Sequence, residues 1–125
     1  MSPLIPLAVL VAGSLGALAR YGVTQAFAGA KHFPWAVLVV NVIGCAIGGT
    51  LLALVHVAGI SPEWYTVVVT GFAGGLTTFS TWSVQTIQLL SSGRWREAAL
   101  SIALNLVVGL GAVFAAFGLV TALVG

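Results

Sequence analysis

The stretch TGFAGGLTTFSTWS, residues 70–83, is the most informative part of the sequence, because it interrupts an apolar run from residue 65 to residue 90. Adjacent glycines followed by clustered hydroxyls are unfavourable in a continuous helix. A helix that breaks inside a bilayer exposes carbonyl and N–H groups that need protein or water partners. Carbonyls bind cations, and the N-termini of half-helices attract anions. The stretch therefore predicts a helix broken at mid-membrane. The alternative is a glycine-rich packing face whose hydroxyls bond back to the helix.

Three further apolar runs accompany this one, at residues 4–30, 35–57 and 98–124. Each of the four runs reaches the roughly 20 residues that a helix needs to cross about 30 Å of hydrocarbon. The valine-rich segments 37–40 and 67–69 could be strands, but a transmembrane strand has about 10 residues of alternating polarity. We therefore predict an all-α integral membrane protein with four transmembrane helices in a single domain, residues 1–125.

The composition excludes a soluble domain. Of the 125 residues, 60% are hydrophobic and 5% are charged, whereas soluble domains carry roughly 25% charged residues. The net charge of +2 is not gathered into a basic stripe, so no nucleic-acid partner is expected. Residues 4–19 could be read as a signal peptide ending at Ala17-Leu18-Ala19, but no positive residue precedes them.

The charged residues also predict an orientation in the membrane. The first and third loops carry Lys31, Arg94 and Arg96, whereas the two termini and the second loop carry no Lys or Arg. The positive-inside rule places the first and third loops in the cytoplasm.

Arg20 is the one charged side chain within an apolar run, on one helical face with Gly13 and Ala17. An arginine at the centre of a transmembrane helix costs roughly 2.5–3.5 kcal/mol on insertion scales. Arg20 should therefore face protein, water or a lipid headgroup. It either snorkels to the interface, or acts as a buried cation that shapes the field of an anion path or fixes packing.

Two other runs place amides beside small residues at helical spacing. The second run has Asn41 with Gly44 and Gly48, and the fourth has Ser101 and Asn105 followed by Gly109. Such faces either hold two helices together or line a polar path, and spacing alone does not distinguish these possibilities.

Groups for proton coupling or catalysis are missing from the apolar runs. Glu63 and Glu97 are predicted in loops, and there is no Asp. His32 and His56 lie at the ends of runs. This pattern argues against a proton-coupled exporter and against an enzyme. Four short helices cannot readily enclose a water-filled path, so a conducting form would be an oligomer, most commonly a dimer.

The chain resembles the Fluc (CrcB-type) fluoride channels. The matching elements are GSLGALARY at residues 13–21, VVNVIG at 39–44 and, most specifically, TGFAGGLTTFSTWS at 70–83. The resemblance implies a passive, fluoride-selective channel in the bacterial cytoplasmic membrane, which exports fluoride and lowers its toxicity. It also implies an antiparallel, dual-topology homodimer with a structural, untransported sodium ion at its centre.

The resemblance further assigns individual residues. The carbonyls of Gly74 and Thr77 would bind the sodium ion, two from each subunit, and Arg20 would lie near the vestibule. The fluoride pore would contain Asn41, Phe79, Ser80, Thr81, Trp82, Ser101 and Asn105. Trp82 stands where the family has its second pore phenylalanine.

Two other functions compete with this interpretation. A small multidrug-type transporter of four helices would require a membrane-embedded carboxylate, which this sequence lacks. A non-conducting membrane scaffold would use its glycine faces only for assembly. Efflux from fluoride-loaded liposomes distinguishes a channel from both.

Overall fold

A computed structural model describes residues 2–30 and 33–125, and these residues form helices joined by short loops. Helix α1 covers Leu4–Ala26 and α2 covers Trp35–Val57. The third segment consists of α3 (Pro62–Tyr65), a π-helix (Thr66–Ala73), α4 (Gly74–Leu76) and α5 (Ser80–Ser91), and α6 covers Trp95–Val124. The first arm is defined here as residues 62–76, from α3 to α4, and the second arm is α5. The described residues contain no strand.

The prediction of an all-α, multi-pass membrane protein is confirmed. Helices α1, α2 and α6 contain 23, 23 and 30 residues and are apolar enough to cross a membrane. Large apolar side chains such as Leu18, Phe114 and Leu123 are exposed on their outer faces. A surface of this kind suits hydrocarbon, whereas a soluble protein would bury it or cover it.

Three helix boundaries differ from the predicted runs, and two of these differences place a carboxylate inside a helix. Helix α6 begins at Trp95, so Glu97 lies in its first turn, and Glu63 lies in the first turn of α3. The prediction that both are loop residues is wrong, because free N–H groups and the helix dipole favour a carboxylate at a helix N-terminus. Helix α1 ends at Ala26 rather than at residue 30. The predicted loop positions of Lys31 and His32 lie outside the described residues.

Helix α2 occupies the centre of the fold. It packs along α6 and also contacts α1 and the first arm, while α5 packs on α6. Most of the buried side chains between these helices are small. The buried hydrophobic residues are Val37, Leu38, Val40, Ala53, Ala73, Leu76 and Ala98.

Glycines bring the backbones of α1 and the first arm into direct contact. A methyl group at Gly16 would overlap the carbonyl oxygen of Phe72, and one at Gly75 would overlap that of Gly13. Gly49 lies equally close to the backbone of α6, whereas a methyl group at Gly48 would have no neighbour within 4 Å inside the subunit. Small residues allow this approach, which maximises van der Waals contact where lipid supplies no hydrophobic drive between helices.

Replacement of Gly16 by alanine tests this backbone contact. The Gly16→Ala variant should lose about 1–3 kcal/mol of stability, because the methyl group overpacks against a backbone that cannot rotate away. Gly22 lies on the same helix with nothing within 4 Å, so Gly22→Ala should be neutral or stabilising by up to about 1 kcal/mol. Unfolding in mixed micelles measures both, and equal stabilities for the two variants would contradict the contact.

Candidate functional site at the interrupted helix

Residues 77–79 separate the two arms of the third segment. The first arm ends at Leu76, and Thr77 has an extended backbone with φ −81° and ψ 162°. The N–H of Thr77 still donates to the Ala73 carbonyl at 2.9 Å, and its hydroxyl donates to the same oxygen at 2.8 Å. Helical hydrogen bonding therefore stops here, and the backbone groups that follow need partners from elsewhere.

Asn41 of α2 supplies partners for Thr78. Its Oδ1 accepts the Thr78 N–H at 2.9 Å, and its Nδ2 donates to the Thr78 carbonyl at 3.2 Å. The Asn41 side chain thus bonds both the N–H and the carbonyl of Thr78, which have no partner within a helix. An amide is suited to this because it carries a donor and an acceptor side by side.

The same amide connects the interruption to α6. Asn41 Nδ2 also donates to Asn105 Oδ1 at 3.1 Å, and Asn105 Nδ2 donates to the Ser101 carbonyl at 2.8 Å. The Asn41 Nδ2 group carries two hydrogens. The Thr78 carbonyl accepts one of them, and Asn105 Oδ1 accepts the other. Asn41 thus holds the interruption and α6 together through bonds made inside the subunit.

Arg20 of α1 pairs a carbonyl on another side of the first arm. Its Nε donates to the Gly75 carbonyl at 3.3 Å, and the contact is partly buried. The arginine therefore faces protein, as the insertion cost predicts. Gly13 and Gly16 share this contact surface with it, whereas Ala17, predicted on the same face, is exposed.

Three carbonyls at the interruption accept no hydrogen bond from any residue in the ranges 2–30 and 33–125, those of Gly74, Leu76 and Thr77. Gly74 and Thr77 line an open groove of about 400 Å³, whereas Leu76 is buried. The walls of the groove are largely apolar and include Cys45, Val69 and Leu106. Two residues with unpaired carbonyls thus border a groove whose walls are otherwise mostly apolar.

Two aromatic side chains line the groove, one at the end of the interruption and one in the first turn of α5. The rings of Phe79 and Trp82 are 5.7 Å apart between centroids and meet edge-on at 73°. Phe79 is 74% exposed. The indole N–H of Trp82 donates to Ser101 Oγ at 3.1 Å, and Ser101 is fully buried. Trp82 therefore lies between the groove and Ser101.

Hydroxyl groups surround the start of α5. Thr78 Oγ1 donates to Thr81 Oγ1 at 3.0 Å and accepts the Thr81 N–H at 3.1 Å. Thr78 thereby satisfies one of the free N–H groups of the first turn of α5. The neighbouring Ser80 is exposed.

The structure brings most of the predicted site residues together. The groove is lined by Asn41, Gly74, Thr77, Phe79, Trp82 and Asn105. Of the others, Ser101 lies behind Trp82, and Arg20 contacts the first arm from α1. Sequence reasoning missed Thr78, which takes part in four of the bonds described above, two with Asn41 and two with Thr81. Only its position in the Thr77-Thr78 pair hinted at a role.

These features define a small multi-pass membrane protein of the channel type, in which an interrupted helix presents polar groups along an open groove. Residues 7–118 match the family described as CrcB-like protein, Camphor Resistance (CrcB). The chain belongs to this family, which is one of ion channels and not of enzymes.

Curated relatives agree with the family match. A protein of Renibacterium salmoninarum named "Fluoride-specific ion channel FluC" is 44% identical over 117 residues, covering 87% of this chain and 93% of the relative. One of the same name from Saccharophagus degradans is 42% identical over 120 residues, covering 94% and 90%. "Fluoride-specific ion channel FluC 1" of Yersinia pseudotuberculosis is 41% identical over 116 residues, covering 91% of each chain. The resemblance to the Fluc (CrcB-type) family is confirmed.

The pairing of Asn41 with Thr78 can be tested by an apolar replacement. Asn41→Leu leaves the Thr78 N–H and carbonyl unpaired, at about 1–3 kcal/mol for each group. We expect a clear loss of stability and faster hydrogen exchange at the Thr78 amide. Cys45→Ala is the control, since Cys45 lies one turn further along α2, lines the same groove and makes no hydrogen bond among the described residues. Unchanged Thr78 exchange in Asn41→Leu would show that the amide pair is dispensable.

Proposed function

We propose that this chain is a fluoride-selective channel that lets fluoride leave the cytoplasm passively and so lowers fluoride toxicity. The observation that carries the proposal is that Gly74 and Thr77, whose carbonyls are unpaired, line an open groove beside the edge-on rings of Phe79 and Trp82. The choice of ion rests on the relatives, which are named fluoride-specific channels. The membrane is the bacterial cytoplasmic membrane.

A second copy of the chain covers the groove in this proposal. An unpaired carbonyl facing hydrocarbon costs several kcal/mol, and irregular backbone at membrane depth is tolerated only inside protein or beside water. A two-fold axis lying in the membrane plane places two identical mid-membrane interruptions opposite each other. This is the antiparallel, dual-topology homodimer that the resemblance implies.

The donor set suits a structural sodium ion between the two subunits. Each subunit contributes two uncharged carbonyl oxygens, from Gly74 and Thr77, which together make four. No Asp or Glu lines this groove among the described residues. Uncharged oxygen ligands match a monovalent cation, because divalent ions usually recruit carboxylates. The ion would neutralise the exposed carbonyls and hold the dimer at its centre without being transported.

The fluoride path in this proposal follows the start of α5. Fluoride keeps its hydration shell tightly, so a selective path must replace water by donors. Ser80 and Thr81 supply hydroxyls, and Phe79 and Trp82 present aromatic edges, which are the positive parts of the ring. Ser101 and Asn105 continue the path along α6. Since the amide hydrogens of Asn41 are engaged inside the subunit, its part in the path is to hold the interruption open to the groove.

Efflux from liposomes tests the function. Purified protein is reconstituted into liposomes loaded with fluoride or with chloride, in sodium and in a sodium-free buffer with an organic cation. We expect rapid fluoride efflux, no chloride efflux, and a loss of fluoride efflux after prolonged removal of sodium. A folded dimer that releases no fluoride would support the scaffold alternative. Fluoride efflux that does not depend on sodium would contradict the structural sodium ion but not the channel function.

Replacement of Trp82 tests the pore assignment. Trp82→Phe should keep fluoride efflux within about threefold of the original, because an aromatic edge remains after the bond to Ser101 is lost. Trp82→Ala should lose most of the efflux. Trp95→Phe is the matched control, since Trp95 is exposed at the start of α6. An inactive but folded Trp82→Phe variant would show that the position is misassigned.

A further inference from the structure

The contact between Arg20 and Gly75 joins two helices at the edge of the interruption. The two residues are 55 positions apart in the sequence, and the Nε–O distance is 3.3 Å. A hydrogen bond with a charged donor is roughly twice as strong as one between neutral groups. Such a bond inside a membrane protein, one residue from a proposed cation ligand, requires an explanation.

The glycine contact described above places Arg20 at this point. Gly13 and Gly16 hold the backbone of α1 against the first arm at Gly75 and Phe72. Arg20 lies one turn beyond Gly16, so its side chain meets the C-terminal end of that arm. The carbonyls at a helix C-terminus carry a partial negative charge, which a cation stabilises. Position and charge therefore both suit a cap.

The last carbonyls of the first arm differ in their hydrogen-bond partners. The Ala73 carbonyl accepts two bonds from Thr77, and the Gly75 carbonyl accepts one from Arg20. The carbonyls of Gly74 and Leu76 accept none from the described residues. Successive carbonyls of a helix are rotated by about 100° around the axis. A carbonyl at Gly75 that is fixed towards α1 thus leaves its neighbour directed to another side, and Gly74 lines the groove.

We propose that Arg20 is a positioning residue for the cation site. By holding the Gly75 carbonyl on the α1 side of the first arm, it fixes which carbonyls of the interruption face the groove, namely those of Gly74 and Thr77. The proposal deepens the proposed function, because it rests on a cation at those two carbonyls. It differs from a role for Arg20 in the electric field of an anion path, which acts through charge alone.

The two roles predict opposite effects on sodium. A positive charge near the cation site repels sodium, so its removal would lower the sodium requirement if the field were its main contribution. Loss of a positioning bond lets the carbonyls rotate, which raises the sodium requirement. The sign of the change therefore separates the two roles.

The first experiment measures the bond itself in the unmodified protein. The chain has three arginines, Arg20, Arg94 and Arg96, so their Nε–H signals can be resolved by NMR with labelled arginine in micelles. We expect the Arg20 Nε–H to exchange with solvent at least about tenfold more slowly than that of exposed Arg96. Equally fast exchange in the folded protein would overturn the proposal, whatever sodium does.

The second experiment uses Arg20→Met and Arg20→Lys, with Arg96→Met as the control that removes an exposed charge. In Arg20→Met, the Thr77 and Thr78 amides should exchange about tenfold faster, and the sodium concentration for half-maximal fluoride efflux should rise by a similar factor. Arg20→Lys keeps a charged donor and should recover most of both properties. Arg96→Met should change neither.

The outcomes distinguish this proposal from the proposed function. Unchanged amide exchange in Arg20→Met, or a lower sodium requirement, would overturn the positioning role. If the unmodified channel needs no sodium, the sodium site of the proposed function fails, and amide exchange still decides whether Arg20 orders the interruption. If Arg20→Met does not fold, the Nε–H measurement on the unmodified protein decides the question.

Discussion

Backbone groups that leave a helix inside a bilayer must be paired by protein, because hydrocarbon offers them no hydrogen bond. Residues 77–79 separate two helical arms, so backbone groups there lack helical partners. Arg20 of α1 donates a hydrogen bond to the Gly75 carbonyl. Asn41 of α2 bonds both the N–H and the carbonyl of Thr78. Gly74 and Thr77, whose carbonyls neither helix pairs, line a groove.

The partners can reach the interruption only because the helices approach so closely. Glycines on α1 and on the first arm place backbone against backbone. A larger residue at Gly16 would push α1 outwards and carry Arg20 away from the carbonyl that it pairs. The glycine contact therefore has two effects. It packs α1 against the first arm, and it brings the Arg20 side chain within hydrogen-bonding distance of the Gly75 carbonyl. Lipid cannot substitute for this fit, because it packs equally well against either helix alone.

The helices pack into a fold that leaves one side of the groove open. Its polar groups are largely engaged with one another, as the Asn41 amide and the bond from Trp82 to Ser101 show. What stays open is one side of the groove, with Phe79 at its margin. The relatives named above are called fluoride-specific ion channels.

The sequence by itself determined the membrane class, the helical type and the family. These depend on local properties, namely the length of apolar runs, the scarcity of charge and the motif at residues 70–83. It did not reveal that Thr78 is the residue paired by Asn41, or that Gly49 rather than Gly48 meets α6. The hydrogen bonds at the site join residues 37, 55 and 64 positions apart, namely Asn41 with Thr78, Arg20 with Gly75, and Asn41 with Asn105. Only the tertiary structure decides such pairings, because the angle and depth at which two helices cross determine which donor reaches which acceptor, and spacing along one chain carries neither quantity.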